Sequence, residues 1–85
     1  MRTAGLSLEE RLMARGVLAD VAQVCTDTGV SLSAILGRGR TKSVAAARHE
    51  AMRAMRRRGL SYPEIGWLFG RDHTTVLMAC RKGNQ

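Results

Sequence analysis

Residues 61–82 read SYPEIGWLFGRDHTTVLMACRK, which is the pattern of two short helices separated by a tight turn. Ser61 and Glu64 have the spacing of a capping box, and Pro63 is tolerated in the first turn of a helix. Gly70 interrupts the apolar run, and Asp72 can cap a second helix from residue 73 to about residue 82. The segment therefore predicts a helix-turn-helix at about residues 61–82.

The N-terminal half also has a helical pattern. Ser7 and Glu10 form another capping box, and an apolar stripe predicts one helix from about residue 8 to the turn at Gly29. Ser31 can cap a short second helix. The glycines in residues 37–43, GRGRTKS, end that helix and produce a basic loop.

Ser43 is the predicted N-cap of a third helix, which ends at Gly59. At about 100° per residue, one side of this helix is apolar, and its predicted core residues are Val44, Ala47, Ala51 and Met55. His49, Arg53 and Arg56 lie on the opposite side, with Arg48 at the margin. The third helix is therefore amphipathic and has a basic outer side.

The composition fits one small all-α domain. The chain has 85 residues, of which 45% are apolar but only 4% aromatic, and this favours helices over a β-sandwich. No apolar stretch reaches the ~20 residues that span a bilayer, and Met1, Arg2 and Thr3 do not begin a signal peptide. We therefore expect a single domain over residues 1–85, cytoplasmic, without a membrane partner and with Cys25 and Cys80 reduced.

The net charge is +7, and it is unevenly distributed. Residues 1–36 carry three arginines against four acids, whereas residues 37–85 carry eleven basic and three acidic residues. An anionic partner is therefore expected at the second half. A membrane surface would attract the same charge, but arginines mixed with small polar residues and a single Trp favour nucleic acid.

The second helix of the helix-turn-helix is expected to enter the major groove of DNA. An acidic side chain accepts a hydrogen bond from cytosine, and Thr offers both a hydroxyl and a methyl group to base edges. The predicted reading residues are Asp72, His73, Thr74 and Thr75. Alternatively, Asp72 serves only as an N-cap, although capping uses one carboxylate oxygen and leaves the other for a base.

The basic loop carries Arg38, Arg40 and Lys42 around Gly39. Glycine permits an extended backbone, and arginines on such a backbone suit the negative potential of a narrow minor groove. The alternative interpretation is a solvated loop, which applies to most isolated arginine pairs. Because this pair directly precedes a basic helix face, we favour insertion into the minor groove.

Other chemistries have little support in the sequence. A phosphate-binding loop of the GxxxxGK[ST] type would need glycine where Leu36 and Thr41 stand. No short paired spacing joins the candidate zinc ligands, which are Cys25, His49, His73 and Cys80. The sequence also lacks a nucleophile elbow and a clear acid pair. We expect no enzymatic activity, no cofactor and no metal.

Several motifs of the second half resemble the C-terminal DNA-binding domain, domain IV, of the bacterial replication initiator DnaA. They are RTKSVA (40–45), ARHEAM (47–52), SYPEIG (61–66), RDHTTVL (71–77) and ACRK (79–82). The resemblance covers roughly residues 8–82. It implies an all-helical, Trp-repressor-like helix-turn-helix that binds the DnaA box, a double-stranded DNA site of the TTATCCACA type.

The resemblance also implies roles for individual residues. Arg40 would enter the minor groove, Arg48 and His49 would contact phosphates, and residues 72–75 would read the major groove. Together with other side chains of suitable type, the expected phosphate contacts are Ser43, Arg48, His49, Arg53, Arg56 and Arg71.

The sequence departs from the family pattern at several positions. One glycine, Gly70, stands where two are usual, and Ala46-Ala47 stands where Arg-Pro is common. His49 replaces a usual Gln, and Met78 replaces a frequent His. A changed turn geometry and a shifted preferred site are therefore expected.

We expect a stand-alone, sequence-specific duplex DNA-binding protein of the nucleoid that regulates transcription or replication by occupying DnaA-box-like sites. Competition with the full initiator is one mode of action. Lacking the ATPase domain of an initiator, the chain is expected to occupy DNA without opening it. The alternative is an adaptor that binds the replication machinery, with weak or no specific DNA binding. The oligomeric state stays open.

Overall fold

A computed structural model describes residues 5–82, which form six helices and contain no strand. The helices are α1 (Leu8–Arg15), α2 (Leu18–Thr28), α3 (Leu32–Leu36), α4 (Lys42–Arg57), α5 (Tyr62–Phe69) and α6 (His73–Lys82). The all-α prediction is confirmed. None of these helices is long and apolar enough to cross a membrane. Residues 1–3, to which the signal-peptide prediction refers, lie outside the described range.

Three serines cap helices as predicted. Ser7 Oγ accepts a hydrogen bond from the Glu10 N–H at 3.1 Å, and the Ser7 N–H donates to Glu10 Oε1 at 2.8 Å, so the first capping box is complete. Ser31 and Ser61 each accept the N–H three residues later, at 3.2 Å. The Glu64 carboxylate pairs with Arg15 instead of closing the second box, and this ion pair joins α5 to α1.

The prediction of one continuous helix from residue 8 to the turn at Gly29 is wrong, because the helix breaks at Gly16. Gly16 has a φ of 79°, and the Val17 N–H donates to Leu12 O at 3.0 Å, which closes a Schellman turn. Leu12 is 0% exposed and Val17 is 1% exposed. The break therefore lets both apolar side chains enter the core, which helical spacing alone does not show.

The helix α4 begins two residues earlier than predicted, so Ser43 is not its N-cap. Thr41 holds that position, with φ −61° and ψ 150°, and its side chain makes no capping hydrogen bond. Lys42 and Ser43 are exposed in the first turn of the helix. The loop between α3 and α4 is therefore limited to residues 37–41, and Lys42 belongs to the helix.

The central helix is α4, which packs against α2, α3, α5 and α6, while α1 packs against α2 and α5. Of the four predicted core residues of α4, Ala47, Ala51 and Met55 are buried and Val44 is half-buried. Met52, which follows Ala51 in the sequence, is also fully buried. The residues that seat α6 in the same core are Val76, Ala79 and Cys80.

Arg48 lies inside the protein, with only 6% of the residue exposed. Its Nε donates to Ile35 O at 2.7 Å. Its Nη2 lies 3.1 Å from Ala34 O, 3.1 Å from Gly37 O and 3.2 Å from Gly39 O. One side chain of α4 therefore ties down both the C-terminal end of α3 and the basic loop.

This placement does not favour the expected phosphate contact at Arg48, which stays a prediction. A phosphate contact needs an accessible guanidinium, whereas this guanidinium is buried and directed to backbone carbonyls. On the helical wheel Arg48 falls at the margin between the apolar and basic sides, so the pattern did not decide its burial. The last carbonyls of a helix lack the full set of partners within the helix, and at the end of α3 Arg48 donates to Ile35 O and to Ala34 O, which also accepts from the Gly37 N–H at 3.2 Å.

The turn between α5 and α6 is closed by backbone contacts. The Arg71 N–H donates to Gly66 O at 2.8 Å, and Gly70 lies in the left-handed region with a φ of 64°. Gly66 is buried under the turn, where an added Cβ would lie 2.5 Å from Arg71 O and 3.3 Å from His73 N. A single glycine after α5 is therefore enough for this turn, and the start of α6 is fixed by its close approach to α5.

We expect Gly66→Ala to lower the free energy of unfolding by about 1–3 kcal/mol, because the added carbon overpacks backbone at the turn. Chemical denaturation followed by circular dichroism measures this change. Gly39→Ala is the matched control, since its Cβ would meet only Val44 Cγ1, at 3.7 Å. Equal stability of the two variants would contradict the close approach of α5 to the turn.

Candidate nucleic-acid interface

Asp72 occupies the N-cap position of α6. Its carbonyl accepts from the Thr75 N–H at 3.0 Å and from the Val76 N–H at 3.3 Å. Its Oδ1 lies 3.4 Å from the Thr74 N and 3.1 Å from His73 Nδ1. The side chain of Asp72 is nevertheless 68% exposed, so its carboxylate caps loosely and remains accessible to a base.

The first turn of α6 presents polar side chains to solvent. His73, Thr74 and Thr75 are exposed, and the His73 side chain is 61% accessible rather than covered by the helix. The next residue, Val76, is 0% exposed. The four predicted reading residues therefore form one continuous exposed group at the start of α6.

The basic loop lies next to this group because Arg71 connects them. Arg71 Nη2 donates to Gly37 O at 2.8 Å, and Arg71 directly precedes Asp72 in the chain. Arg38 and Arg40 are exposed on the loop. The predicted minor-groove arm and the predicted major-groove helix are thus held side by side by one hydrogen bond.

A cavity of about 220 Å³ at this junction is lined by arginines and by one glycine. Its residues are Arg38, Gly39, Arg40, Arg48 and Arg71. Burial, and then the charge of Arg71, lowers the pKa of Arg48. Burial, and then the charge of Arg38, lowers the pKa of Arg71. These cations are close enough to repel one another, and an anion placed here would relieve that repulsion.

His49 meets α6 at a second cavity. It is half-buried on α4 and lines a space of about 320 Å³ with Thr75, Met78 and Ala79. Two predicted site residues from distant parts of the sequence, His49 and Thr75, are therefore neighbours in the structure.

Arg53 and Arg56 lie farther along α4. Arg53 pairs with Glu50 at 2.9 Å and approaches Ala79 O at 3.4 Å. The Arg53 hydrogen bond is the main cause of the lowered pKa of Glu50, so part of the positive charge here is already balanced. Arg56 stacks 4.4 Å above the Tyr62 ring. Since Arg56 is thirteen residues beyond Ser43, a rise of about 1.5 Å per residue puts it about 20 Å from the loop end of α4.

Three features of this surface were not predicted. Met78 lines the cavity beside Thr75, and Arg57 joins Arg53 and Arg56 around a third cavity, of about 250 Å³. The third unpredicted feature is the hydrogen bond from Arg71 to Gly37 O in the loop. Met78 follows Thr75 by three residues, a spacing that places both on one helix face, so this signal was present in the sequence.

Candidate metal ligands do not cluster in the described part of the chain. Residues 5–82 contain no group of three or more His, Cys, Asp or Glu side chains that could hold a metal ion. Cys25 and Cys80 are free thiols. Burial raises the pKa of each thiol.

Comparison with known proteins gives a consistent result. Residues 21–82 match a protein family described as the bacterial dnaA protein helix-turn-helix. The chromosomal replication initiator protein DnaA of Synechococcus sp. (strain JA-2-3B'a(2-13)) is 39% identical over 79 residues, covering 91% of this chain and 16% of that protein. The protein of the same name from Picosynechococcus sp. (strain ATCC 27264 / PCC 7002 / PR-6) is 47% identical over 60 residues, covering 68% of this chain and 13% of that protein.

The chain thus spans less than a fifth of the length of either relative. No solved structure shows a significant match. The family match begins in α2 and includes the loop, α4 and the helix-turn-helix described above. The chain therefore belongs to the bacterial DnaA helix-turn-helix family of DNA-binding domains.

Proposed function

We propose that this domain binds double-stranded DNA sequence-specifically at DnaA-box-like sites and acts as a regulator of transcription or replication by occupying them. The observation that carries the proposal is the Arg71 hydrogen bond to Gly37 O, at 2.8 Å. It holds an exposed arginine loop beside the exposed start of α6. Two adjacent reading elements of this kind suit a duplex, whose major and minor grooves alternate along its surface.

In this proposal α6 reads the major groove from its N-terminal end. The Asp72 carboxylate accepts from the amino group of a cytosine, and Thr74 and Thr75 offer hydroxyl and methyl groups to neighbouring bases. His73 is exposed beside them and can donate or accept at the edge of the same site. Because Val76, Ala79 and Cys80 anchor the helix in the core, these side chains approach DNA from a rigid support.

The loop arginines supply the minor-groove contact, and the surrounding side chains contact phosphates. Arg40, with Arg38 beside it, extends from a loop whose carbonyls are held inside by Arg48 and Arg71. The phosphate contacts that we propose are Lys42, Ser43, His49, Arg53, Arg56 and Arg71. For Arg48 we propose a different part, which is to hold the loop in place through its hydrogen bonds to the loop carbonyls.

The two relatives are named as chromosomal replication initiators, and this makes competition with a full initiator at shared sites one way in which occupancy would act. Binding energy alone blocks or bends a duplex, so the proposal needs no nucleotide. A domain that acts in this way works in the cytoplasm, on the nucleoid.

Selection of bound sequences from a random duplex pool tests the proposal directly. We expect enrichment of a DnaA-box-like sequence, with binding to it weakening steeply as salt rises, because arginines and lysines displace counterions from phosphates. A shuffled duplex serves as the control at each salt concentration. No enrichment, together with equal binding to the shuffled duplex, would contradict the proposal and favour an adaptor that binds a protein of the replication machinery.

Replacing Thr75 with Ala should cost ~1–3 kcal/mol of binding free energy on the selected site and much less on random DNA, because the change removes base contacts only. Fluorescence anisotropy with both duplexes measures the difference. Thr26→Ala is the matched control, since Thr26 is exposed on α2 and its hydroxyl bonds to Ala22 O at 3.2 Å. Equal losses on both duplexes would rule out base reading by Thr75.

Replacing Arg40 with Ala should weaken binding most where the flanking minor groove is narrow and rich in A·T pairs, because a narrow groove has the most negative potential. Binding to duplexes with A·T-rich or G·C-rich flanks measures this. Arg58→Ala removes the same charge from the exposed end of α4, where Arg58 pairs with Asp20 at 2.8 Å. A loss for Arg40→Ala that does not depend on the flanks would make Arg40 a phosphate contact.

A further inference from the structure

The cavity between α4 and α6 is lined in part by apolar side chains, which lie directly beside the exposed Thr75. Its volume is about 320 Å³, and its lining residues are His49, Thr75, Met78 and Ala79. Ala79 is 2% exposed and forms part of the core, whereas Met78 is 61% exposed. The cavity is therefore open to solvent at Met78 and closed toward the core at Ala79.

Met78 is an unusual residue for this surface. Burying a methionine side chain is worth roughly 1.5–3 kcal/mol, yet this one is 61% exposed beside the polar side chains of His49 and Thr75. It lies three residues after Thr75 and four after Thr74, so the three share one face of α6. At about 1.5 Å per residue, Met78 lies about 4.5 Å farther along the helix than Thr75. An α-helix that enters a groove from its N-terminal end brings this position over the bases next to those that Thr75 faces.

The chemistry of the major groove limits what a thioether side chain can recognise there. Donors and acceptors on base edges need polar partners, which Met78 does not provide beyond a weak sulfur acceptor. The one apolar group that the four normal bases present in the major groove is the C5-methyl group of thymine. Methionine is flexible and polarizable, which suits it to close around a small apolar group.

We propose that Met78, Ala79 and the methyl group of Thr75 form an apolar subsite for the C5-methyl group of one thymine in the bound duplex. This inference rests on the proposed DNA binding and deepens it, because it names a base-reading residue beyond the first turn of α6. His49 closes the cavity from the α4 side, so the subsite is shaped by both helices.

A scan with deoxyuridine tests the subsite, because uracil differs from thymine only in lacking the methyl group. Each thymine of the selected duplex is replaced in turn by deoxyuridine, and the dissociation constant is measured for each. The wild-type protein should lose about four-fold in affinity at one thymine, the factor expected for burying one methyl-sized group. Met78→Ala should bind the unmodified duplex more weakly and lose the dependence on the methyl group at that position.

Two further variants control for the fold and for the loss of an exposed methionine. Met78→Gln keeps the length of the side chain but is polar, and it should lose the methyl dependence while keeping the thermal stability of the wild type. Met13→Ala removes a methionine that is 59% exposed on α1, and it should keep the wild-type deoxyuridine profile. Circular dichroism of each variant verifies that it is folded.

The outcomes separate this inference from the proposed function. A selected site with a strong preference over shuffled DNA, but with no thymine sensitive to deoxyuridine, would overturn the subsite and leave the proposed function intact. A sensitive thymine that remains equally sensitive in Met78→Ala and Met78→Gln would also overturn it. A failure to select any sequence would overturn both.

Discussion

The buried guanidinium of Arg48 fixes the basic loop, which is one of the two parts of the molecule that face DNA in the proposed function. Moving a cation out of water is strongly unfavourable unless hydrogen bonds replace its hydration, and here four backbone carbonyls do so. Two belong to the end of α3 and two to the basic loop, so the loop must adopt the conformation that delivers them. A lysine lacks the planar array of donors that reaches all four. The shape of the loop therefore follows from satisfying one buried charge.

This arrangement also prepares the surface for an anion. The loop carbonyls of Gly37 and Gly39 accept hydrogen bonds from Arg48, and Gly37 O also accepts one from Arg71. Two arginines from different parts of the chain therefore bond to the backbone of the loop. The exposed side chains of Arg38 and Arg40 add to the same concentration of charge. Burial lowers the pKa of both Arg48 and Arg71, and a neighbouring cation lowers it further, Arg71 in the case of Arg48 and Arg38 in the case of Arg71. A phosphate backbone would offset the repulsion between these arginines. The arrangement of charges that favours DNA is therefore present in the fold before DNA binds.

The sequence predicts the features of this fold that depend on local interactions. The caps at Ser7, Ser31 and Ser61 each depend on residues three apart, and the structure shows them together with the helix-turn-helix and the exposed threonine pair. The burial of Arg48 depends on carbonyls nine to fourteen residues earlier in the chain, whereas the break at Gly16 is a local turn that the apolar stripe does not reveal. Gly16 ends a helix because Leu12 and Val17 both reach a core that the sequence pattern does not display. The roles of the site residues toward DNA remain predictions.

The departures from the family pattern gain a physical meaning from their positions in the fold. Ala47 is 1% exposed, so a small residue fits the place where α4 meets the core. His49 and Met78, which are far apart in the sequence, line the same cavity beside Thr75. A change in one alters the space available to the other, so the two substitutions are expected to act together on the base that faces this cavity. The adjacent Asp72-His73-Thr74-Thr75 segment keeps the family pattern. In the proposed function, a shift of the preferred site is therefore expected in the base pairs beneath the second turn of α6, where Met78 lies, rather than beneath its first turn.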